Sequence, residues 1–274
     1  MNGIDIEGVF MSLNVITAPE LIAMKTRGEK ISVLTAYDYA WGRLIDDAGI
    51  DVALVGDSLG MVVLGYENTL LVTMEDMIRH TAAVARGAKR ALVVGDMPFM
   101  SYQISENEAV RNAGRLIQEG NAGAVKLEGG AHMAATIRKI VDIGIPVVGH
   151  IGMTPQSVHQ YGGFRKQGKD EANAVRIKND ALTIQDAGVC AIVLEAIPSE
   201  LAAYITESVH VPTIGIGAGP DCDGQVLVAH DMLGLYDKTV PSYVKQYCNL
   251  WDTTLDAFKA YNEEVKGAKF PQRK

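Results

Sequence analysis

Cysteine is scarce in this chain. Its 274 residues hold three, Cys190, Cys222 and Cys248, with no CxxC pair among them. That spacing excludes a zinc knuckle and a disulfide framework, and it suits reduced thiols in a cytoplasm. Basic runs are missing as well, and the net charge is −8. Nucleic acid and anionic membrane surfaces are therefore poor partners. No uninterrupted apolar run is long enough to span a bilayer. The start of the chain lacks the marks of an address. Asp5 and Glu7 stand where a secretory signal carries positive charge, and the first basic residue is Lys25.

What the chain does have is an apolar fraction of 48%, enough for a substantial core, and one repeated phrase. Five times a short apolar run ends in an ionisable residue. Residues 52–56 lead into Asp57 and Ser58, and residues 91–95 into Asp96. Residues 124–127 lead into Glu128, 146–149 into His150, and 191–194 into Glu195. Runs of this kind, bounded by turn residues, read as buried strands. The ionisable group then sits at the C-terminal end of the strand, where parallel α/β sheets bind ligands. A single such acid is an ordinary helix cap or turn residue. Five on neighbouring strands converge. Four carboxylates brought together repel one another unless a cation neutralises them or some take up protons.

Residues 1–16 read as an extension. Thr17, Ala18, Pro19 and Glu20 open a helix that Gly28 ends, placed to cover the bottom of a barrel. Strands at 31–36, 52–56, 91–95, 124–127, 146–149, 191–194 and 212–216 then alternate with helices at 38–48, 73–87, 105–119, 131–143, 171–187 and 199–208. Residues 58–71 and 152–169 read as long loops. A short helix near 225–230, a weak eighth strand near 232–235 and helical segments near 243–247 and 250–265 complete the chain. Eight β/α units close naturally into a (β/α)₈ TIM barrel, with an N-terminal helix and C-terminal helices, as one domain over 17–274. A doubly wound open sheet is the alternative that the count disfavours.

Five blocks carry a resemblance. They are Gly56-Asp57-Ser58-Leu59-Gly60-Met61, Gly95-Asp96-Met97-Pro98-Phe99, Val125-Lys126-Leu127-Glu128-Gly129-Gly130, Gly149-His150-Ile151-Gly152-Met153-Thr154-Pro155-Gln156, and Gly215-Ile216-Gly217-Ala218-Gly219 with Asp223-Gly224-Gln225. In this order they resemble the ketopantoate hydroxymethyltransferase family over nearly the whole chain. Leu71, where that family often has proline, and the first dozen residues are the departures. The resemblance implies a magnesium-dependent reaction. It joins 3-methyl-2-oxobutanoate to the one-carbon unit of 5,10-methylenetetrahydrofolate through a Mg²⁺-stabilised enolate. It also implies a large homo-oligomer, usually a decamer.

Carried over residue by residue, the resemblance makes Asp57 and Asp96 the metal ligands and brings Glu128 to the metal through a water. The substrate would chelate the same cation. Lys126 and Glu128 lie two apart on one strand and share a side. A lysine inside an apolar run is costly to bury unless paired. It is expected to grip the substrate carboxylate, against the plainer reading of a snorkelling lysine on the barrel wall. Ser58 offers a hydroxyl to that carboxylate. Glu195 is assigned the proton abstraction, and its apolar predecessors Ile192, Val193 and Leu194 suggest an apolar surround that would raise its basicity. Glu128 and Glu195 also read as simple capping acids. His150 takes no assigned role. The 152–169 loop, with Gln156, Gln160, Tyr161, Phe164, Arg165 and Lys166, could meet the folate or could be a plain surface loop.

Two other readings stand beside this one. A lyase of the phosphoenolpyruvate mutase and isocitrate lyase kind also uses magnesium and a 2-oxoacid on a barrel, but needs a catalytic thiol. A barrel that binds a 2-oxoacid without catalysis is the other.

Overall fold

The computed structural model describes residues 15–235 and 240–272. Eight parallel strands close into a barrel in chain order. They are β1 (Ile31–Thr35), β2 (Val52–Val55), β3 (Leu92–Asp96), β4 (Ala124–Glu128), β5 (Val147–Gly152), β6 (Ala191–Glu195), β7 (Thr213–Ile216) and β8 (Gly224–Leu227). α1 (Ala18–Arg27) precedes them. α2 (Tyr39–Asp47), α3 (Leu59–Val62), α4 (Met74–Gly87), α5 (Glu106–Gln118), α6 (Ala134–Asp142), α7 (Val158–Tyr161), α8 (Glu171–Asp186) and α9 (Ser199–Ser208) run between the strands. The barrel expected from the sequence is the one observed. Contacts divide the chain into two compact units, Met1–Val226 and Leu227–Lys274. The second carries α10 (Ala229–Met232) and α11 (Leu250–Lys266). Among the described residues no helix is long and apolar enough to cross a membrane.

Local chemistry explains the helix starts. The side chains of Thr17, Asp38, Thr73, Ser105 and Asp170 each accept a backbone N–H three residues on. Those bonds satisfy donors that a helix N-terminus otherwise leaves orphaned. At Thr73 the bond is reciprocated by Asp76, which makes a complete capping box.

Strand alternation builds two cores. Ile31, Val33, Val52, Leu54, Leu92, Val94, Ala124, Val148, Ala191, Val193 and Ile214 point into the barrel. Ala53, Val55, Val93, Val125, Leu127, Val147, Ile151, Ile192 and Leu194 point out against the helices. Both faces of β2 to β6 are thus buried, and the sequence there shows continuous apolar runs rather than alternation. Leu21 and Met24 of α1 close the barrel floor within the interior cluster. Lys25 on the same helix lies 3.0 Å from Asp223 and donates to the carbonyls of Thr206 and Val211. Cys190 is buried in the barrel interior, as a core residue should be.

Three sequence expectations need correction. The eighth strand is Gly224–Leu227, not residues 232–235, and the short helix follows it at Ala229–Met232. Closure fixes this. Ile214 pairs with Gly224, and the Ile31 N–H donates to the Asp223 carbonyl. A Cβ at Gly224 would lie 2.3 Å from the Ile31 carbonyl oxygen, so the closing strand must start with glycine. Residues 243–247 form no helix. The two long loops are partly helical, with α3 in the first, and α7 after a 3₁₀ turn at Pro155–Ser157 in the second.

Candidate active site

The interior face changes character at the C-terminal end of the barrel. Alternation that buries Ala124 in the barrel must also turn Lys126 and Glu128 inward. The same rule puts Asp96 above Val94 and Glu195 above Val193. Register then sets neighbours: Asp96 lies beside Lys126, Glu128 beside His150, and Gly152 beside Glu195. Asp57 stands just past the end of β2, and its N–H donates to Asp96 Oδ2 at 3.3 Å. Asp57, Asp96, Lys126, Glu128, His150 and Glu195 are all buried. The structure therefore gathers the five strand-end groups into one arc from β2 to β6, as the repeated phrase suggested.

Lys126 Nζ donates to both oxygens of Asp96 at 2.7 Å. It answers the burial cost by pairing within the acid cluster rather than by snorkelling. His150 sits between two acids, with Nδ1 3.5 Å from Glu128 Oε1 and Nε2 3.1 Å from Glu195 Oε2. Neither contact is aligned as a hydrogen bond. Ser58 Oγ lies 2.9 Å from the Tyr37 hydroxyl. The apolar surround expected for Glu195 is only partly present. Ile192 and Leu194 face the helix layer, so of the three predecessors only Val193 shares its side, and the His150 ring is its close partner.

Burial dominates the electrostatics. It pushes the Asp57 carboxyl up to about 6, with the Glu128 charge adding and Lys126 opposing. Burial likewise raises Asp96 to about 6, against the pull of Lys126. Burial would lower His150, and Lys126 adds to that, yet Glu128 and Glu195 outweigh both and raise it to about 9. Acids held this far from their ordinary range mark a site where a cation or substrate is expected.

Gln156 takes a role that no sequence pattern pointed to. Its Nε2 donates to Asp57 Oδ2 at 2.9 Å and to the Met97 carbonyl at 3.0 Å. Its Oε1 accepts from the Tyr102 hydroxyl at 2.6 Å. Its backbone N–H donates to Glu128 Oε2 at 3.0 Å. Tyr102 in turn accepts the Glu128 N–H. One buried amide thus braces two of the acids. An uncharged residue in a polar loop carries no mark of such burial. The neighbouring Thr-Pro turn, which starts the 3₁₀ segment, is the one local signal.

A divalent cation fits this donor set. Asp57 and Asp96 are hard oxygen donors side by side, and both are kept from easy ionisation by burial, a state that a cation reverses. Among the described residues no three His, Cys, Asp or Glu side chains converge as a complete ligand cage. The protein would supply two carboxylates and leave the rest of the shell to water and substrate, which is the habit of magnesium. Glu128, already bound to the Gln156 N–H, suits an indirect place in that shell.

The fold is a (β/α)₈ barrel with its buried acids gathered at the C-terminal mouth, the end at which enzymes of this architecture act on small molecules. Solved structures share the fold. A 2,3-dimethylmalate lyase of the PEP mutase/isocitrate lyase superfamily aligns with a TM-score of 0.61 at 18% identity, over 95% of this chain and 91% of that one. A phosphonopyruvate hydrolase, in complex with oxalate and Mg²⁺, aligns with a TM-score of 0.62 at 11% identity, over 92% and 88%. Sequence narrows the class to one family. Residues 15–273 match the ketopantoate hydroxymethyltransferase model, and the chain belongs to that family. The 3-methyl-2-oxobutanoate hydroxymethyltransferases of Syntrophus aciditrophicus (strain SB) and Moorella thermoacetica are each 58% identical over 258 residues. That span covers 94% of this chain and 95% and 96% of theirs.

Proposed function

We propose that the chain transfers the one-carbon unit of 5,10-methylenetetrahydrofolate to 3-methyl-2-oxobutanoate, with water, giving 2-dehydropantoate and tetrahydrofolate. The arc of buried acids around Lys126 is the observation that carries this reading. Asp57 and Asp96 would hold a magnesium ion. That ion, when bound, supplies Lewis-acid polarisation of the substrate ketone, which makes the neighbouring C–H acidic. Every other task falls to side chains. Gln156 fixes the Asp57 carboxylate. Lys126 braces Asp96 and meets the substrate carboxylate beside it, and Ser58, held by Tyr37, offers a hydroxyl to the same group. Glu195, on the strand opposite β2, accepts the C3 proton. His150 orients that carboxylate from 3.1 Å. The donor's methylene carbon then exchanges its two bonds to folate nitrogens for one bond to C3 and one to a water oxygen, and the C3 proton and a water proton end on those two nitrogens. The same reading makes the protein a cytoplasmic homo-oligomer, a decamer by the family resemblance, which light scattering measures.

The thiol-dependent lyase reading finds no support in the barrel. Cys190 lies low in the interior, and burial pushes its thiol up to about 12. Purified protein given 3-methyl-2-oxobutanoate and 5,10-methylenetetrahydrofolate should form 2-dehydropantoate with magnesium and none after chelation. Cleavage of a 2-oxoacid without uptake of the one-carbon unit would replace this reading with the lyase one.

A further inference from the structure

Two cavities open beside the acid arc, and neither has an assigned role. The inner one, about 520 Å³, has Glu128 and Gln156 in its wall, with Phe99 and Tyr161 among its aromatic neighbours. The outer one, about 650 Å³, runs past the first turn of α5 to Lys139 on α6. They share Tyr102, Gln103, His132 and Met133, so they form one groove leading outward from the catalytic acids. A five-carbon 2-oxoacid at Asp57 and Asp96 leaves this groove free.

The two ends differ chemically. At the inner end Glu128 Oε1 is buried and makes no hydrogen bond, although its sister oxygen is satisfied. The group facing it is His150 Nδ1 at 3.5 Å, not aligned as a hydrogen bond, so the oxygen keeps room for an N–H donor from a ligand. Phe99 is 37% exposed and, with Tyr161, offers faces on which a flat ring can lie. Arg176 lines the inner cavity but is tied to Asp180 at 3.0 Å; the cation at the outer end is Lys139. Lys139 Nζ lies 3.4 Å from Glu106 and donates to Asn107 at 2.8 Å, with both charged side chains nearly half exposed. A solvent-exposed pair of that kind is weak, and an incoming carboxylate can take its place. Of the amide and cationic groups in the strand-five loop, Gln156, Gln160 and Gln167 line the groove, whereas Arg165, Lys166 and Lys169 do not.

We propose that this groove seats the one-carbon donor. A flat heteroaromatic head with N–H donors lies at the inner end against Glu128, and an anionic tail reaches Lys139. The placement rests on the reading that the donor is a folate, since a reduced pterin with a glutamate tail has that shape and charge. It brings the one-carbon unit to the same wall, Glu128 and Gln156, that bounds the 2-oxoacid site.

The test compares tetrahydrofolate with 6-methyltetrahydropterin, which has the head and lacks the tail, by calorimetric titration of the whole protein with magnesium and 3-methyl-2-oxobutanoate present. Lys139→Ala should weaken tetrahydrofolate roughly five- to tenfold, the size of one charge-assisted contact, and the tail-less pterin less than twofold. Tyr161→Ala should weaken both by similar factors. If Lys139→Ala shifts neither ligand, or both alike, the groove does not hold the donor. If the wild-type protein binds no tetrahydrofolate yet exchanges the C3 proton of the 2-oxoacid, the folate reading itself fails.

Discussion

Replacing Asp57 by asparagine should stabilise the metal-free protein while disabling it. Asp57 is buried, and its carboxyl rises from 3.8 to about 6 in the folded state. A rise of that size favours the neutral form by about 3 kcal/mol. A carboxyl raised on folding binds more protons folded than unfolded. Its ionisation therefore costs stability fully above pH 6, and the cost vanishes below pH 4. Asparagine keeps an acceptor for the Gln156 amide, which now donates at 2.9 Å, and removes the charge. In chelator at pH 8, Asp57→Asn should gain up to about 3 kcal/mol over wild type, with the gain shrinking as pH falls to 4. Adding magnesium should reverse the order, because the wild type alone gains binding free energy. Denaturant unfolding across pH 4 to 8, with EDTA or magnesium, measures both effects. If Asp57→Asn is less stable than wild type in EDTA at pH 8, Lys126 already compensates the Asp57 charge, and the acids are not waiting for a cation.

Other perturbations read different parts of the site. Lys126→Met strips the buried ammonium from Asp96 and should cost about 3–5 kcal/mol at pH 8. The loss should be smaller at pH 5, where Asp57 and Asp96 take up protons; equal losses at the two pH values would mean the acids are compensated from elsewhere. Gln156→Leu leaves the Tyr102 hydroxyl and Asp57 short of a partner and should cost about 2–4 kcal/mol in denaturant unfolding, with kcat falling as well. Gly130→Ala would place a Cβ 2.1 Å from the Asp180 carboxyl, whose Oδ1 holds the Ala131 N–H. It should cost about 1–3 kcal/mol, and the double variant with Asp180→Ala should show clear coupling rather than additivity.

The barrel was legible because β2 to β6 are buried on both faces and so appear as unbroken apolar runs. The strand-end acids were legible because each interrupts such a run at its end. β8 was not, for its four residues begin with a glycine that closure requires, while Met232 to Leu235 imitate a strand with an apolar cluster. The site showed the same division. Charged residues at strand ends announced themselves, whereas Gln156 and Tyr102 act through uncharged groups brought in from loops. The apolar surround assigned to Glu195 is only partly present because neighbours in sequence along a strand face opposite sides, which leaves Val193 alone on its side. Its closest partner, His150, comes from the adjacent strand.

The proposed chemistry turns on Glu195 taking the C3 proton of 3-methyl-2-oxobutanoate. Exchange of that proton for deuterium, followed by NMR with magnesium and without folate, isolates the step. Wild type should exchange it, and Glu195→Gln, nearly isosteric and still beside His150, should slow exchange by roughly 10²–10⁴-fold while magnesium and the 2-oxoacid still bind. Exchange at the wild-type rate in Glu195→Gln would contradict the assignment and move the base elsewhere in the acid arc.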